Sequence, residues 1–251
     1  MIRSEVRDRV AIVTIDNPPV NALPVEGWFR LADTLRDHGR DPGVHVVILR
    51  AEGRGFQAGV DIKELAADPT KEALIGVNRG CYQAFAAVYE CEVPVIAAVH
   101  GFCLGGGIGL AGNADIVVAS DDATFGVPEV DRGALGAATH LARFVPAHKL
   151  RALYFTGATV TAAELHAYGT IERVVSREDL LDTALEIAHV IAAKSTLVIR
   201  RAKEALNMID PVDVKRSYRF EQGFTFELNL QGDSDELRQA FVEKRDARLD
   251  G

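Results

Sequence analysis

The chain has 251 residues, 48% of them hydrophobic and 25% charged, and its formal net charge is −8. These values are typical of one large globular domain, or of one domain with a small appendage. The negative charge disfavours nucleic acid and anionic membrane surfaces as partners, because both carry negative charge themselves. Glycine or charge interrupts the long apolar runs, so the sequence predicts no membrane span.

The amino terminus and the cysteines indicate a reducing compartment. Residues 1–8 lack the apolar core of a secretion signal. Cys81, Cys91 and Cys103 are an odd set without the spacing of metal ligands. We therefore expect a cytoplasmic protein with reduced thiols and no metal site.

Strands and helices alternate in the first half of the chain. Short β-branched runs predict strands, and apolar residues three or four positions apart predict helices. The predicted strands are 10–15, 44–49, 93–99 and 115–119, and the predicted helices are 24–39, 62–68, which stops near Pro69, and 71–89. Two glycine-bearing turns, at 53–61 and 105–107, allow the backbone to approach a ligand closely.

The second half begins with an irregular stretch at 122–133 and then becomes mainly helical. The predicted helices are 139–156, with a kink near Pro146, 161–169, 178–194, 196–208 and 213 onward, and a last strand is predicted at 171–175. This alternation predicts an α/β fold. Since no serine- or glycine-rich linker appears, we expect one catalytic core at 1–195 and a helical carboxy-terminal region at 196–251.

Three segments in a fixed order resemble the crotonase, or enoyl-CoA hydratase/isomerase, family. They are 57–64 (Gln-Ala-Gly-Val-Asp-Ile-Lys-Glu), 94–107, which ends in the glycine triplet, and 125–129 (Phe-Gly-Val-Pro-Glu). The resemblance implies a spiral of ββα repeats with a helical carboxy-terminal trimerisation region. It also implies a homotrimer or homohexamer that binds acyl-CoA thioesters, with coenzyme A as part of the substrate and no prosthetic group.

The resemblance further implies a hole for the thioester oxygen. By position in the two glycine turns, the Val60 and Gly106 N–H groups would donate hydrogen bonds to that oxygen as negative charge develops on it. The residues that would contact coenzyme A are Val20, Ala22, Ala58, Val60, Asp61, Ile62 and Gly106.

One departure from the family pattern narrows the range of reactions that the chain could catalyse. A hydratase of this family uses two glutamates, and the first of these positions is Gly109 here, which has no side chain to hold a proton. The second is retained as Glu129, which follows Pro128 and is the predicted general base. Ordinary hydration of an enoyl-CoA is therefore disfavoured.

Several side chains are candidates for the second acid or base. His140 stands where the family has no usual catalyst, and a histidine titrates near working pH, although a structural role at the helix entry is the alternative. Asp131 either supports the catalytic base or forms a surface ion pair with Arg132. Glu221 and Glu227, in an aromatic carboxy-terminal helix, are further candidates.

Within the family, segments such as 133–140 and 221–230 resemble members that hydrolytically open one ring of a bicyclic, steroid-derived CoA thioester. That resemblance implies water addition to a ring ketone and retro-Claisen cleavage of the adjacent carbon–carbon bond. One alternative is an enoyl-CoA isomerase of fatty-acid degradation, which needs only Glu129. The other is a non-catalytic RNA-binding member, which the acidic composition disfavours.

Overall fold

A computed structural model describes residues 1–68, 70–231 and 233–248. The strands are Ile2–Arg7 (β1), Val10–Ile15 (β2), Val46–Ala51 (β3), Val95–Val99 (β4), Phe102–Leu104 (β5), Ile116–Ser120 (β6), Thr124–Gly126 (β7), Thr159–Thr161 (β8) and Arg173–Val175 (β9). The helices are Val25–Arg40 (α1), Ile62–Ala67 (α2), Glu72–Tyr89 (α3), Gly106–Ala111 (α4), Ala138–Leu141 (α5), Ala147–Thr156 (α6), Ala162–Ala167 (α7), Leu180–Ala192 (α8), Thr196–Ile209 (α9), Val214–Gln231 (α10) and Asp233–Glu243 (α11). A 3₁₀ turn spans Pro128–Arg132.

A six-stranded sheet in the order β1-β2-β3-β4-β6-β9 forms the centre of the molecule. Only its edge pair β1–β2 is antiparallel, and the other neighbours are parallel. Alternate residues of the central strands enter two different apolar cores, one beneath α1, α3 and α4 and the other beneath α8. Burial on both faces explains why β4 is a continuous apolar run in the sequence and why Thr14 alone interrupts the apolar run of β2.

A second sheet, of three short strands in the order β5-β7-β8, lies beside the first. β5 and β7 are parallel, with Leu104 paired to Gly126, so their carboxyl ends coincide. The glycine triplet follows one of these strands, and the 3₁₀ turn follows the other. The small sheet therefore brings two distant segments of the chain to one place.

The α/β class predicted from the sequence is confirmed, but several short elements were not predicted. These are β1, β5, β7 and β8. The predicted helix at 139–156 is wrong as one element, because α5 ends at Leu141 and α6 begins after Pro146. Pro69, predicted to stop the helix at 62–68, lies outside the described residues, and the division of the chain at residue 195 stays a prediction.

The carboxy-terminal helices fold back onto the same chain. α10 packs against α3 and α5, and α11 packs against α2 and the 3₁₀ turn. By contrast, α9 exposes a set of large apolar side chains, which are Leu197, Val198, Leu206, Met208 and Ile209. Among the helices of the described chain, none combines the length and the apolar character needed to cross a bilayer.

Candidate active site

The paired ends of β5 and β7 place Glu129 against the glycine triplet. The Gly105 N–H donates to the Gly126 carbonyl at 3.0 Å, which fixes the start of α4 beside the 3₁₀ turn. A Cβ on Gly105 would collide with Glu129 Oε1, and Gly105 also has a φ of +56°. Only glycine meets both conditions without strain. The predicted base therefore lies at the first turn of the helix that carries Gly106.

The second glycine turn lies against the same helix start. A Cβ on Gly59 would lie 3.5 Å from the Gly106 nitrogen. The Gln57 side chain holds this turn from both sides, since its Oε1 accepts from Gly59 N–H at 2.7 Å and its Nε2 donates to the Gly59 carbonyl at 2.6 Å. Among the described residues, neither the Val60 N–H nor the Gly106 N–H has a hydrogen-bond acceptor. Two neighbouring free donors are what an oxyanion hole requires.

The residues expected to contact coenzyme A lie together at this edge. Leu23 joins their two segments, because its N–H donates to the Gly59 carbonyl at 3.1 Å and its carbonyl accepts from Asp61 N–H at 3.0 Å. The segment before Leu23 is also anchored, since Asn21 Nδ2 donates to the carbonyls of Glu52 and Gly55. The half-buried members of the set are Val20, Ala22, Ala58, Val60, Asp61 and Ile62.

The environment of the Glu129 carboxyl disfavours its ionised form. Its Oε2 atom is buried and has no hydrogen-bond partner among the described residues. Burial raises the pKa of Glu129 to about 8; the nearby Arg132 guanidinium opposes this rise, and the Glu221 carboxylate adds to it. A carboxyl group with a pKa near working pH is suited to taking and returning a proton.

Phe85 occupies the space where a side chain at position 109 would lie. A Cβ on Gly109 would overlap the Phe85 ring, which itself packs edge-on against the Trp28 ring at 5.7 Å. The site therefore has one carboxyl group beside the two free N–H groups, and the second glutamate of a hydratase has no room. This packing agrees with the sequence-based expectation that ordinary hydration is disfavoured.

His140 is enclosed by aromatic rings. Its ring centroid lies 5.0 Å from Phe85 and 4.9 Å from Tyr218, and its Nδ1 is buried without a partner among the described residues. Burial and the Arg143 guanidinium lower the pKa of His140 to about 3. The imidazole is therefore neutral at working pH, so the titration that motivated its choice does not occur there. Its catalytic role stays a prediction.

Asp131 and Glu227 lie at the surface. The Asp131 side chain is 60% exposed, and its Oδ2 is 3.9 Å from Arg132 Nη1. The same carboxylate lies against the turn at Gly157, where a Cβ would come within 2.6 Å of Oδ2. This geometry supports the surface ion pair as the role of Asp131. Glu227 is exposed on α10.

Glu221 anchors the loop that follows Glu129 in the sequence. Its carboxylate accepts from the N–H groups of Ala138 and Thr139, at 3.0 and 2.6 Å, and from the Thr139 hydroxyl. One turn later on α10, the Thr225 hydroxyl binds both the N–H and the carbonyl of Leu135. Burial raises the pKa of Glu221 in spite of these hydrogen bonds. The helix α10 thus holds the loop between the base and α5 in one conformation.

Two polar residues of the site were missed by the sequence analysis. Gln57 braces the glycine turn at Gly59, and the Tyr154 hydroxyl accepts from Gly136 N–H at 3.1 Å. Gln57 precedes a glycine turn. Its side-chain amide can donate one hydrogen bond and accept another, so it can pair with both an N–H and a carbonyl group of the turn. The partner of Tyr154 is 18 positions away, and no local pattern indicates it.

The chain is similar to known proteins in sequence and in fold. Residues 5–251 match the family model described as enoyl-CoA hydratase/isomerase. The chain is 66% identical, over 94% of its length and 92% of the relative, to the (7aS)-7a-methyl-1,5-dioxo-2,3,5,6,7,7a-hexahydro-1H-indene-carboxyl-CoA hydrolase of Rhodococcus jostii. It is 63% identical to the protein of the same name from Mycobacterium tuberculosis, over 94% and 95% of the two chains. An enoyl-CoA hydratase/isomerase structure from Pseudoalteromonas atlantica has a TM-score of 0.87 and 26% identity, over 99% of both chains.

The chain therefore belongs to the enoyl-CoA hydratase/isomerase, or crotonase, family. The resemblance predicted from three sequence segments is confirmed, as is the crotonase-like fold with its carboxy-terminal helices. Two of its relatives at more than 60% identity carry the name of a CoA-thioester hydrolase.

The raised pKa of Glu129 leads to a prediction about titration and stability. A carbon-13 NMR titration of side-chain carboxyls should show one signal with a midpoint at about pH 8, absent from a Glu129→Gln variant. Because the folded chain binds this proton more tightly than the unfolded chain, its contribution to stability is present below pH 4.5 and is lost as the pH rises to about 8. A Glu129 midpoint at the ordinary value of a carboxyl would contradict the buried environment.

The packing of Phe85 on Gly109 leads to a second prediction. Gly109→Ala should lower the free energy of unfolding by about 1–3 kcal/mol, because the added methyl overlaps the ring in a filled core. Gly223→Ala is the matched control, since Gly223 lies in α10 with no atom within 4 Å of an added Cβ. That change should stabilise the helix by about 0.5–1 kcal/mol. Urea denaturation measures the free energy of unfolding of each variant. Equal changes in the two variants would show that Gly109 is not tightly packed.

Proposed function

We propose that the chain hydrolyses a carbon–carbon bond in one ring of a bicyclic, steroid-derived CoA thioester. The observation that carries this proposal is the combination of one buried carboxyl, Glu129, with two free N–H groups and no room for a second glutamate at 109. The high identity to hydrolases named for a methylated indene bicycle with two ketones and a carboxyl-CoA group supports it.

In the proposed reaction, Glu129 takes a proton from water as the water oxygen adds to a ring ketone. The tetrahedral centre then collapses, and the adjacent ring carbon–carbon bond breaks. The electron pair passes into a carbanion conjugated to the thioester, whose oxygen the Val60 and Gly106 N–H groups stabilise. The ketone carbon becomes a carboxyl group, and the proton that Glu129 took from water passes to the carbanion, which completes the addition of one water molecule.

The enoyl-CoA isomerase is the second candidate. An isomerase moves one proton along an acyl chain, and the single carboxyl at the oxyanion hole meets that need as well. The two reactions differ in product mass, because only hydrolysis adds water.

The proposed assembly is a homotrimer or homohexamer that works in the cytoplasm on a free acyl-CoA, without a prosthetic group. The large apolar side chains exposed on α9 support association, since exposed apolar surface is often covered in an assembly. Coenzyme A would lie along the edge formed by residues 20–22 and 58–62.

The proposed function is tested by offering three thioesters to the purified protein. These are crotonyl-CoA, a linear 3-enoyl-CoA and the bicyclic diketone thioester, with products measured by mass. We expect the gain of one water with ring opening on the bicyclic thioester alone, because the hydratase glutamate is missing. A mass-neutral shift of the linear 3-enoyl-CoA, with the bicyclic compound untouched, would replace the hydrolase with the isomerase.

The role of Glu129 gives a separate prediction. Glu129→Gln should lower kcat on the bicyclic thioester by about 10²–10⁴, because the amide cannot accept the proton of water. In the wild type, kcat/KM should rise with pH and level off above about pH 8, where the carboxyl is ionised. Glu186→Gln, an exposed residue of α8 paired with Arg173, is the control and should leave both values unchanged. Full activity of the Glu129 variant would remove this residue from the mechanism.

A further inference from the structure

The proposed reaction develops negative charge on two different oxygens. When the ring bond breaks, charge moves to the thioester oxygen, which the Val60 and Gly106 N–H groups serve. Before that, water addition puts negative charge on the oxygen of the ring ketone. The Val60 and Gly106 N–H groups bind the thioester oxygen, so they are not available to this second oxygen. A second donor beside Glu129 is therefore required if the ketone is to be attacked efficiently. This inference rests on the proposed function.

Tyr154 lies on the helix that packs against the turn carrying the base. α6 contacts the 3₁₀ turn Pro128–Arg132, and the Tyr154 hydroxyl oxygen accepts from Gly136 N–H at 3.1 Å. A phenol that accepts one hydrogen bond still has a hydrogen to donate. Among the described residues, no acceptor takes that hydrogen. The donated Gly136 hydrogen bond also polarises the hydroxyl, which makes it a stronger donor.

The hydroxyl lies against the loop that follows the 3₁₀ turn of the base. A Cβ on Gly136 would lie 3.8 Å from the Tyr218 ring, which in turn packs against His140 and Phe85. Tyr154 is thus connected, through Gly136, to Tyr218, whose ring packs against the Phe85 ring that fills the space at position 109. Burial and the carboxylates of Glu221 and Glu129 raise the pKa of Tyr154. The hydroxyl consequently keeps its proton at working pH.

The other candidates fit the role less well. The His140 ring is enclosed by Phe85 and Tyr218, and the Asp131 carboxylate is exposed beside Gly157. Glu221 already accepts three hydrogen bonds from the first turn of α5, and a carboxylate has no proton to donate. Tyr154 alone among these combines a free hydrogen with a fixed oxygen.

We propose that the Tyr154 hydroxyl donates a hydrogen bond to the ring ketone and to the alkoxide formed when water adds to it. Gly136 N–H holds the phenol oxygen in place. The phenol keeps its own proton throughout. The water proton goes to Glu129, the alkoxide re-forms a carbonyl as the ring bond breaks, and the carbanion that receives the electron pair then takes the proton from Glu129. Tyr154 is then a catalytic residue for the carbonyl addition only.

Tyr154→Phe tests the proposal, because it removes the hydroxyl and keeps the ring. The first readout is ring opening of the bicyclic thioester, where kcat should fall by about 10²–10³. The second is deuterium uptake from D2O by the ring-opened product, at the carbon that the cleaved bond had joined to the ketone. This exchange needs Glu129 and the two N–H groups but no ring ketone, so the Tyr154→Phe variant should retain it. Retained exchange also shows that the variant is folded.

The controls separate the possible failures. Tyr168→Phe, at an exposed tyrosine that caps α7, should leave both readouts unchanged. If Tyr154→Phe opens the ring as fast as the wild type does, Tyr154 has no role in the reaction. The proposed function is then unaffected, because the wild type still opens the ring. Equal loss of exchange and ring opening would make Tyr154 a structural residue. If the wild type does not open the ring, the proposed function fails, and the ketone donor fails with it.

Discussion

The active-site geometry depends on the parallel pairing of two three-residue strands. With Leu104 opposite Gly126, the Gly105 N–H reaches the Gly126 carbonyl, and the helix start at Gly106 lies beside the turn that carries Glu129. A slip of this pairing by one residue would turn every side chain of a strand to its opposite face and move the carboxyl away from the two N–H groups. The large sheet and its two cores provide the rigid support that keeps this small sheet in register.

The carboxy-terminal helices complete the arrangement from within the same chain. Glu221 and Thr225, one turn apart on α10, bind the loop after the base, and the Ser234 hydroxyl of α11 donates to the Gly133 carbonyl. These contacts connect residues about 90 positions apart in the sequence. They explain why a helical region outside the central sheet contributes to the order of a site at its edge.

Long periodic segments were predictable from the sequence, and short ones were not. β2, β4 and α1 contain enough residues to show a period, whereas β5, β7 and β8 have three residues each and are held by their pairing. The helix predicted at 139–156 is interrupted because Pro146 has no N–H to continue α5 and instead precedes α6. Val60, Gly106 and Glu129 were assigned through the family resemblance. The charge state of His140 and the anchoring of Tyr154 depend on tertiary burial, which no local pattern encodes.

The contact between Phe85 and Gly109 also constrains how this site can change during evolution. A glutamate at 109 collides with the ring while Phe85 is present, and a small residue at 85 leaves a cavity costing about 3–5 kcal/mol while Gly109 remains. Each replacement is harmful alone, so the energetic effects of substitutions at the two positions are coupled. A lineage that exchanges a one-carboxylate site for a two-carboxylate site must pass through a destabilised ancestor.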